Sequence, residues 1–193
     1  MKKFMQLVNF VSLLLISSFF VISCNNASDS KGTDNTEMNT EESSHAIAIL
    51  NATLPDTVLT GTADFMAVDS KVKLSLTLSI PTMANKNVAV HIHEMGDCGE
   101  MGKGAHGHWN PTDQQHGKWG VGSFHTGDIG NVSLDAEGNG NMNMETDLWS
   151  IGGDEKTNIL NRSIIVHSGM DDFTSQPSGN AGPRIGCGII AKK

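Results

Sequence analysis

Between Lys71 and Ile80 the chain reads K-V-K-L-S-L-T-L-S-I, with apolar and polar residues in strict alternation. Successive side chains of a β-strand point to opposite faces, so Val72, Leu74, Leu76, Leu78 and Ile80 share one face and predict a half-buried strand. Shorter runs predict further strands at Ala46–Thr53, around Thr62–Val68, and at Asn131–Asp135, Asn139–Thr146, Ser163–His167 and Gly188–Ala191. The segment Asp135-Ala136-Glu137-Gly138-Asn139-Gly140 is rich in residues that tolerate positive φ and predicts a hairpin turn. No helical period of useful length occurs. Several short strands in one domain predict an all-β fold, an antiparallel sandwich or barrel.

The strand V-A-V-H-I-H at 88–93 departs from simple patterning. It places Val88, Val90 and Ile92 on one face and the imidazoles of His91 and His93 side by side on the other. Imidazole is a common ligand of zinc and copper. Two long stretches also break the β rhythm. Glu94–Gly130 holds ten glycines together with His106, His108, His116, His125 and Asp128, and Ser168–Gly186 is similarly structureless. Loops of this length bracketed by strands are usually functional.

The first 44 residues are of another kind. Lys2 and Lys3 precede the apolar run Phe10–Ile22, a pattern that predicts an export signal over residues 1–23 and is short for a membrane span. The run ends in Val21-Ile22-Ser23-Cys24, which resembles the bacterial lipoprotein box and implies a lipid on Cys24 that anchors the chain to a membrane. Residues 25–44 contain only Ala27 and Met38 as apolar side chains. Burial there cannot offset the entropy of ordering, which predicts a tether spanning roughly 25 Å. The remaining 149 residues, 45–193, suffice for one domain with a sizeable core.

That domain carries ten Lys and Arg against sixteen Asp and Glu and has no basic block, so its sequence does not suggest nucleic-acid binding. With Cys24 assigned to lipid, Cys98 and Cys187 remain. In an exported domain they predict a disulfide rather than two buried thiols, and closing a loop of that length is worth on the order of 4 kcal/mol.

Taken in order, the motifs H-I-H-E-x-G-D-C, H-W-N-P, H-G, H-T-G-D, V-H-S-x-x-D-D and G-N-A-G-P-R-I-G-C-G resemble the copper–zinc superoxide dismutase family over essentially the whole domain. The resemblance implies an antiparallel Greek-key β-sandwich or barrel with two long functional loops. It also implies an enzyme that converts superoxide to dioxygen and hydrogen peroxide with copper and zinc as cofactors. His91, His93, His108 and His167 match the copper ligands, and His108, His116, His125 and Asp128 match the zinc ligands, with His108 bridging the two ions. Asp171 matches the carboxylate that links a copper histidine to a zinc histidine. Arg184 matches the cation beside the copper that receives the anion, and Cys98–Cys187 matches the family disulfide.

With the N-terminal features, the resemblance places the enzyme in a bacterial cell envelope as a periplasmic or surface lipoprotein. It admits a homodimer without specifying its contacts. A metal-storage module would differ at Arg184 or His108, and a copper-only dismutase at the zinc ligands; all of those residues are present. The loop from Gly169 to Pro183 contains no Lys or Glu and is shorter than in eukaryotic members. Lys103 and Lys118 are therefore candidates for attracting the anion, with ordinary solvated lysines as the alternative. His106 and His45 match no family ligand and read as bystanders.

Overall fold

The computed structural model describes residues 44–193. The expected export signal, Cys24 and the tether up to residue 43 lie outside the described residues. Nine strands form: β1 His45–Ala52, β2 Thr60–Val68, β3 Lys71–Ser79, β4 Asn87–His93, β5 Gly130–Ser133, β6 Asn139–Thr146, β7 Ser163–His167, β8 Arg184–Ile189 and β9 Ala191–Lys192. They hydrogen-bond in the order β5-β4-β7-β8-β1-β2-β3-β6, with β9 on β1, and all pairings are antiparallel. β5 and β6, at the ends of this order, approach each other, so the sheet nearly closes into a barrel. The all-β antiparallel architecture is the one that the alternation predicts.

Inside the barrel, Leu50, Phe65, Leu74, Leu76, Ile92 and Ile164 are fully buried. β3 buries Val72, Leu74, Leu76 and Leu78 and exposes the residues between them, as its sequence pattern predicts. Trp149 closes this core, meeting Phe65 edge-on at a ring distance of 6.0 Å while its indole N–H donates to the Thr126 carbonyl at 2.9 Å. The core is thereby tied to the segment that holds His125 and Asp128.

The last strand begins earlier than the pattern predicts. β8 starts at Arg184 rather than Gly188, and its Gly186 and Gly188 hide the alternation. The chain then leaves β7 at Ile190, whose N–H donates to the Arg162 carbonyl at 2.9 Å, and resumes beside β1 as β9. The early start places Arg184 directly opposite His167. Cys98 and Cys187 form a disulfide with Cα atoms 5.7 Å apart, tying the first long loop to β8. Cys187 packs there with Ala105 and Ile165 in a small second apolar cluster.

Candidate metal centre

β4 carries His91 and His93 on its outer face, yet their exposures are 0% and 1%. The two long loops fold over that face. Backbone hydrogen bonds hold the first loop in place: Trp109 N–H donates to the Ile92 carbonyl, Ile92 N–H to the Gly127 carbonyl, and Gly127 N–H to the Trp109 carbonyl, each at 2.9 Å. The strand with His91 and His93, the segment with His108 and the segment with His125 and Asp128 are stitched together at this point. Residue 127 must be glycine here, because a Cβ would stand 2.2 Å from the Ile92 carbonyl oxygen. The second loop is held by Ala89 N–H, which donates to the Gly169 carbonyl at 2.8 Å.

Two groups of buried ligand atoms result. His91, His93, His108 and His167 form one, and His108, His116, His125 and Asp128 the other, with the ligand atoms of each group all within 4.8 Å of one another. Every metal-ligand candidate in the sequence falls into one of these groups, and His108 belongs to both. Hydrogen bonds settle which nitrogen each ring presents. His93 Nδ1 donates to the His106 carbonyl at 2.8 Å and His167 Nδ1 to the Gly182 carbonyl at 3.1 Å. His91 Nε2 donates to Asp171 Oδ2 at 2.8 Å. The opposite nitrogens, His91 Nδ1, His93 Nε2 and His167 Nε2, are buried without a partner, as is His108 Nε2, while His116 Nδ1 and His125 Nδ1 make no hydrogen bond but face Asp128 at 2.9 and 3.2 Å.

Burying a polar atom without a hydrogen bond is costly, so six such atoms converging in two places call for cations. The second group makes the same demand by charge. His116 Nε2 donates to Asp171 Oδ1 at 2.9 Å while its Nδ1 faces Asp128 Oδ2 at 2.9 Å. A neutral ring cannot donate to both carboxylates, so a proton or a metal ion must lie between Nδ1 and Asp128. Three imidazoles and one carboxylate suit zinc, and a set of imidazoles suits copper.

The protonation equilibria follow the same geometry. Burial pulls His167 down to about 3, helped by the charge of His91, and pulls His108 down to about 4 against its hydrogen bond to Asp128. Burial, with His108 and Arg184 nearby, also holds His93 well below the usual imidazole range. Neutral imidazole is the form that ligates. His116 moves the other way. Its burial is outweighed by the hydrogen bonds and charges of Asp128 and Asp171, which raise it to about 9. Burial alone would raise Asp128 and Asp171, but their histidine partners hold both well below the carboxylate range.

Arg184, half-buried at the start of β8, donates from Nη1 to the Gly102 carbonyl at 2.6 Å and from Nη2 to the His106 carbonyl. Its guanidinium lines a cavity of about 450 Å³ with Leu54, Met101, Lys103, Gly182 and Pro183. Lys118 sits elsewhere, 5.9 Å from the centre of the Phe173 ring. His45 pairs with Asp64 at 2.8 Å on the first strands, outside both groups.

Several contributors are invisible at the level of residue type. The His106 side chain joins neither group, but its carbonyl serves both His93 and Arg184, from a backbone held at φ 60°. Asn131 holds the Asp171 backbone with two hydrogen bonds, at 2.9 and 2.8 Å. Arg162 stacks 4.1 Å above Trp109, the neighbour of His108, and donates to the carbonyls of Glu94, Glu155 and Asn158.

A family model described as copper/zinc superoxide dismutase matches residues 59–190. The chain belongs to the copper/zinc superoxide dismutase family. Like that family, it dismutates superoxide, with copper and zinc as cofactors. Superoxide dismutase [Cu-Zn] 2 of Aquifex aeolicus is 35% identical over 135 residues, 67% of this chain and 78% of that protein. Superoxide dismutase [Cu-Zn] of Humicola lutea is 35% identical over 152 residues, 75% of this chain and 96% of its own length. Extracellular superoxide dismutase [Cu-Zn] of Caenorhabditis elegans is 36% identical over 140 residues, 69% of this chain and 62% of that protein. Among solved structures, that of the clock protein EA4 superposes with a TM-score of 0.68 at 29% identity, covering 77% of this chain and 94% of its own.

Proposed function

We propose that His91, His93, His108 and His167 hold the copper of this dismutase, and that His108, His116, His125 and Asp128 hold its zinc. The observation that carries this assignment is the convergence of six buried ring nitrogens that make no hydrogen bond into two groups that share one imidazole. When bound, copper would supply a one-electron couple that superoxide can both reduce and reoxidise, and zinc would supply fixed positive charge among His108, His116, His125 and Asp128.

The chain's own residues do the rest. Arg184, aimed by the Gly102 and His106 carbonyls, receives the superoxide anion through charge-assisted hydrogen bonds. Lys103, lining the same cavity, adds a second positive charge. His108 keeps its Nδ1 toward Asp128 and has Nε2 to hold and release one of the two protons that hydrogen peroxide requires. Asp171 orients His91 and His116 from behind, and its two hydrogen bonds fix the tautomer of each ring. The disulfide between Cys98 and Cys187 keeps the loop bearing Gly102 and His106 against the strand bearing Arg184.

The same reading covers the chain's organisation: an export signal over residues 1–23, a lipidated Cys24 with a tether to residue 44, and the enzymatic domain from 45 to 193. It makes the protein an envelope lipoprotein of a bacterium, its membrane partner reached through the lipid. Incorporation of labelled palmitate that Cys24→Ser abolishes is the expected result, and labelling that survives in that variant refutes the anchor. For the site, metal analysis and superoxide consumption of the purified domain are compared with His108→Ala and Arg184→Ala. One copper and one zinc per chain are expected, with activity lost in the first variant and reduced in the second. Full activity without copper, or in His108→Ala, overturns the assignment.

A further inference from the structure

We infer that Gln176 is a positioning residue for His116, and that the short second loop acts through it as a clasp on the zinc site. The inference rests on His116 being a zinc ligand. From sixty positions away, Gln176 meets the His116 backbone with both ends of its side-chain amide. Nε2 donates to the His116 carbonyl at 2.9 Å, and Oε1 accepts from the His116 N–H at 3.0 Å. The pair has the geometry of a strand pairing completed by a side chain, and it satisfies both polar backbone groups of a buried residue.

The loop that presents Gln176 is itself well braced. Asp172 Oδ1 accepts from the N–H groups of Thr174 at 2.9 Å and Ser175 at 2.8 Å, and Oδ2 accepts from the Ser175 hydroxyl at 2.6 Å. Gly179 N–H donates to the Ser175 carbonyl at 2.7 Å, and Asp172 N–H donates to the Gly179 carbonyl at 2.9 Å. Gly179 lies directly over the Asp171–His116 hydrogen bond: a Cβ there would stand 1.8 Å from Asp171 Oδ1 and 2.6 Å from His116 Nε2. One braced loop thus grips the His116 ring through Asp171 and the His116 backbone through Gln176. Ring and backbone together determine where Nδ1 points, so freeing the backbone lets Nδ1 swing away from Asp128 and zinc leave. Gln176 itself is solvent-exposed, so its removal opens no hole in the core.

The test is the rate at which the copper- and zinc-loaded enzyme yields zinc to an excess of a chromogenic chelator, measured beside the thermal midpoint of the metal-stripped chain. Partners behind metal ligands are worth about 10- to 100-fold in affinity, and Gln176→Leu is expected to release zinc about tenfold faster. The metal-stripped midpoint is expected to stay within a few degrees of the parent's. Gln176→Glu keeps the acceptor for the His116 N–H but opposes a carboxylate to its carbonyl, so it too is expected to release zinc faster. Unchanged release in Gln176→Leu, while His116→Ala still loses zinc, overturns the clasp alone. Zinc retained in His116→Ala overturns the ligand assignment beneath it. An equal fall in stability with and without metal, at unchanged release, makes Gln176 merely structural and also overturns the proposal.

Discussion

β3 and β4 belong to one sheet and are built on opposite plans. β3 buries every second residue and leaves the others to solvent, whereas β4 is buried on both faces from Val88 to His93. The inner faces of the two strands do the same work, with Leu74 and Leu76 on one and Val90 and Ile92 on the other facing a common core. The difference lies outside. The outer face of β4 is roofed by the two long loops, and what lies under that roof is polar. Burying imidazoles is unfavourable unless each ring nitrogen finds a partner. On β4 one nitrogen of each histidine finds Asp171 or a carbonyl, and the other is left without a partner, as the proposed copper site requires. A strand buried on both faces, with histidines on one of them, therefore marks a candidate metal site that its inner face alone would not reveal.

Breaking the β4 side gives the largest effect. His91→Ala removes one proposed copper ligand and one partner of Asp171, and superoxide consumption is expected to fall by at least ~10³, about 4 kcal/mol of barrier. Copper content after dialysis checks the cause. Retained copper with full activity would show that the roofed face is not the site. Breaking the β3 side reads out differently. Leu76→Ala empties a fully buried position and is expected to destabilise the domain by about 2–5 kcal/mol in urea unfolding. Copper and zinc content are expected to stay intact, so the two strands separate stability from chemistry.

The same contrast decides what could be read before the structure was known. β3 was legible nearly to the residue, because alternation records a solvent face and a core face. β8 was not: Pro183 lies before it, and Gly186 and Gly188 carry no side chain to alternate. The candidate ligands stood out because metal chemistry selects residue types, and the order of the histidines carried the family likeness. What holds them did not. The carbonyls of Gly102, His106 and Gly182 serve through backbone direction, which residue type does not encode, and His106 reads as a bystander while its backbone sits at φ 60°. Asn131 and Gln176 act across 40 and 60 residues of sequence, separations at which no local pattern signals a contact.

Acid sharpens the comparison at a smaller scale, since β3 presents no buried titratable group and the roofed face presents several. His108 and His167 are held at about 4 and about 3, below the ordinary 6.5. Below pH 6.5 the unfolded chain therefore binds protons that the fold refuses, and stability falls as pH drops toward 4. With His93, also held well below 6.5, three such groups give a slope no steeper than about 4 kcal/mol per pH unit. His116, raised to about 9, contributes its full stabilisation below 6.5 and loses it only as pH rises through 9, so it is silent in this window. Asp128 and Asp171, depressed below the carboxylate range, are lost only at more acid pH. Urea midpoints of the metal-stripped domain between pH 6.5 and 4.5 are expected to fall steadily, and a flat profile contradicts the buried neutral imidazoles.

The smallest effect belongs to the outer face of β3. Thr77 points outward to solvent between Thr62 on β2 and Asn141 on β6. Thr77→Val keeps the β-branched shape that suits a strand and removes only a solvated hydroxyl. Urea unfolding is expected to change by no more than about 0.5 kcal/mol, with metal content and activity unaltered. The outward position on β4 that holds His91 permits no such exchange, because its side chain is fully buried, hydrogen-bonded to Asp171 and a proposed copper ligand. A change above 1 kcal/mol at Thr77, or one that grows with protein concentration, would mean that β3 also has a covered outer face, with a second copy of the chain as the cover.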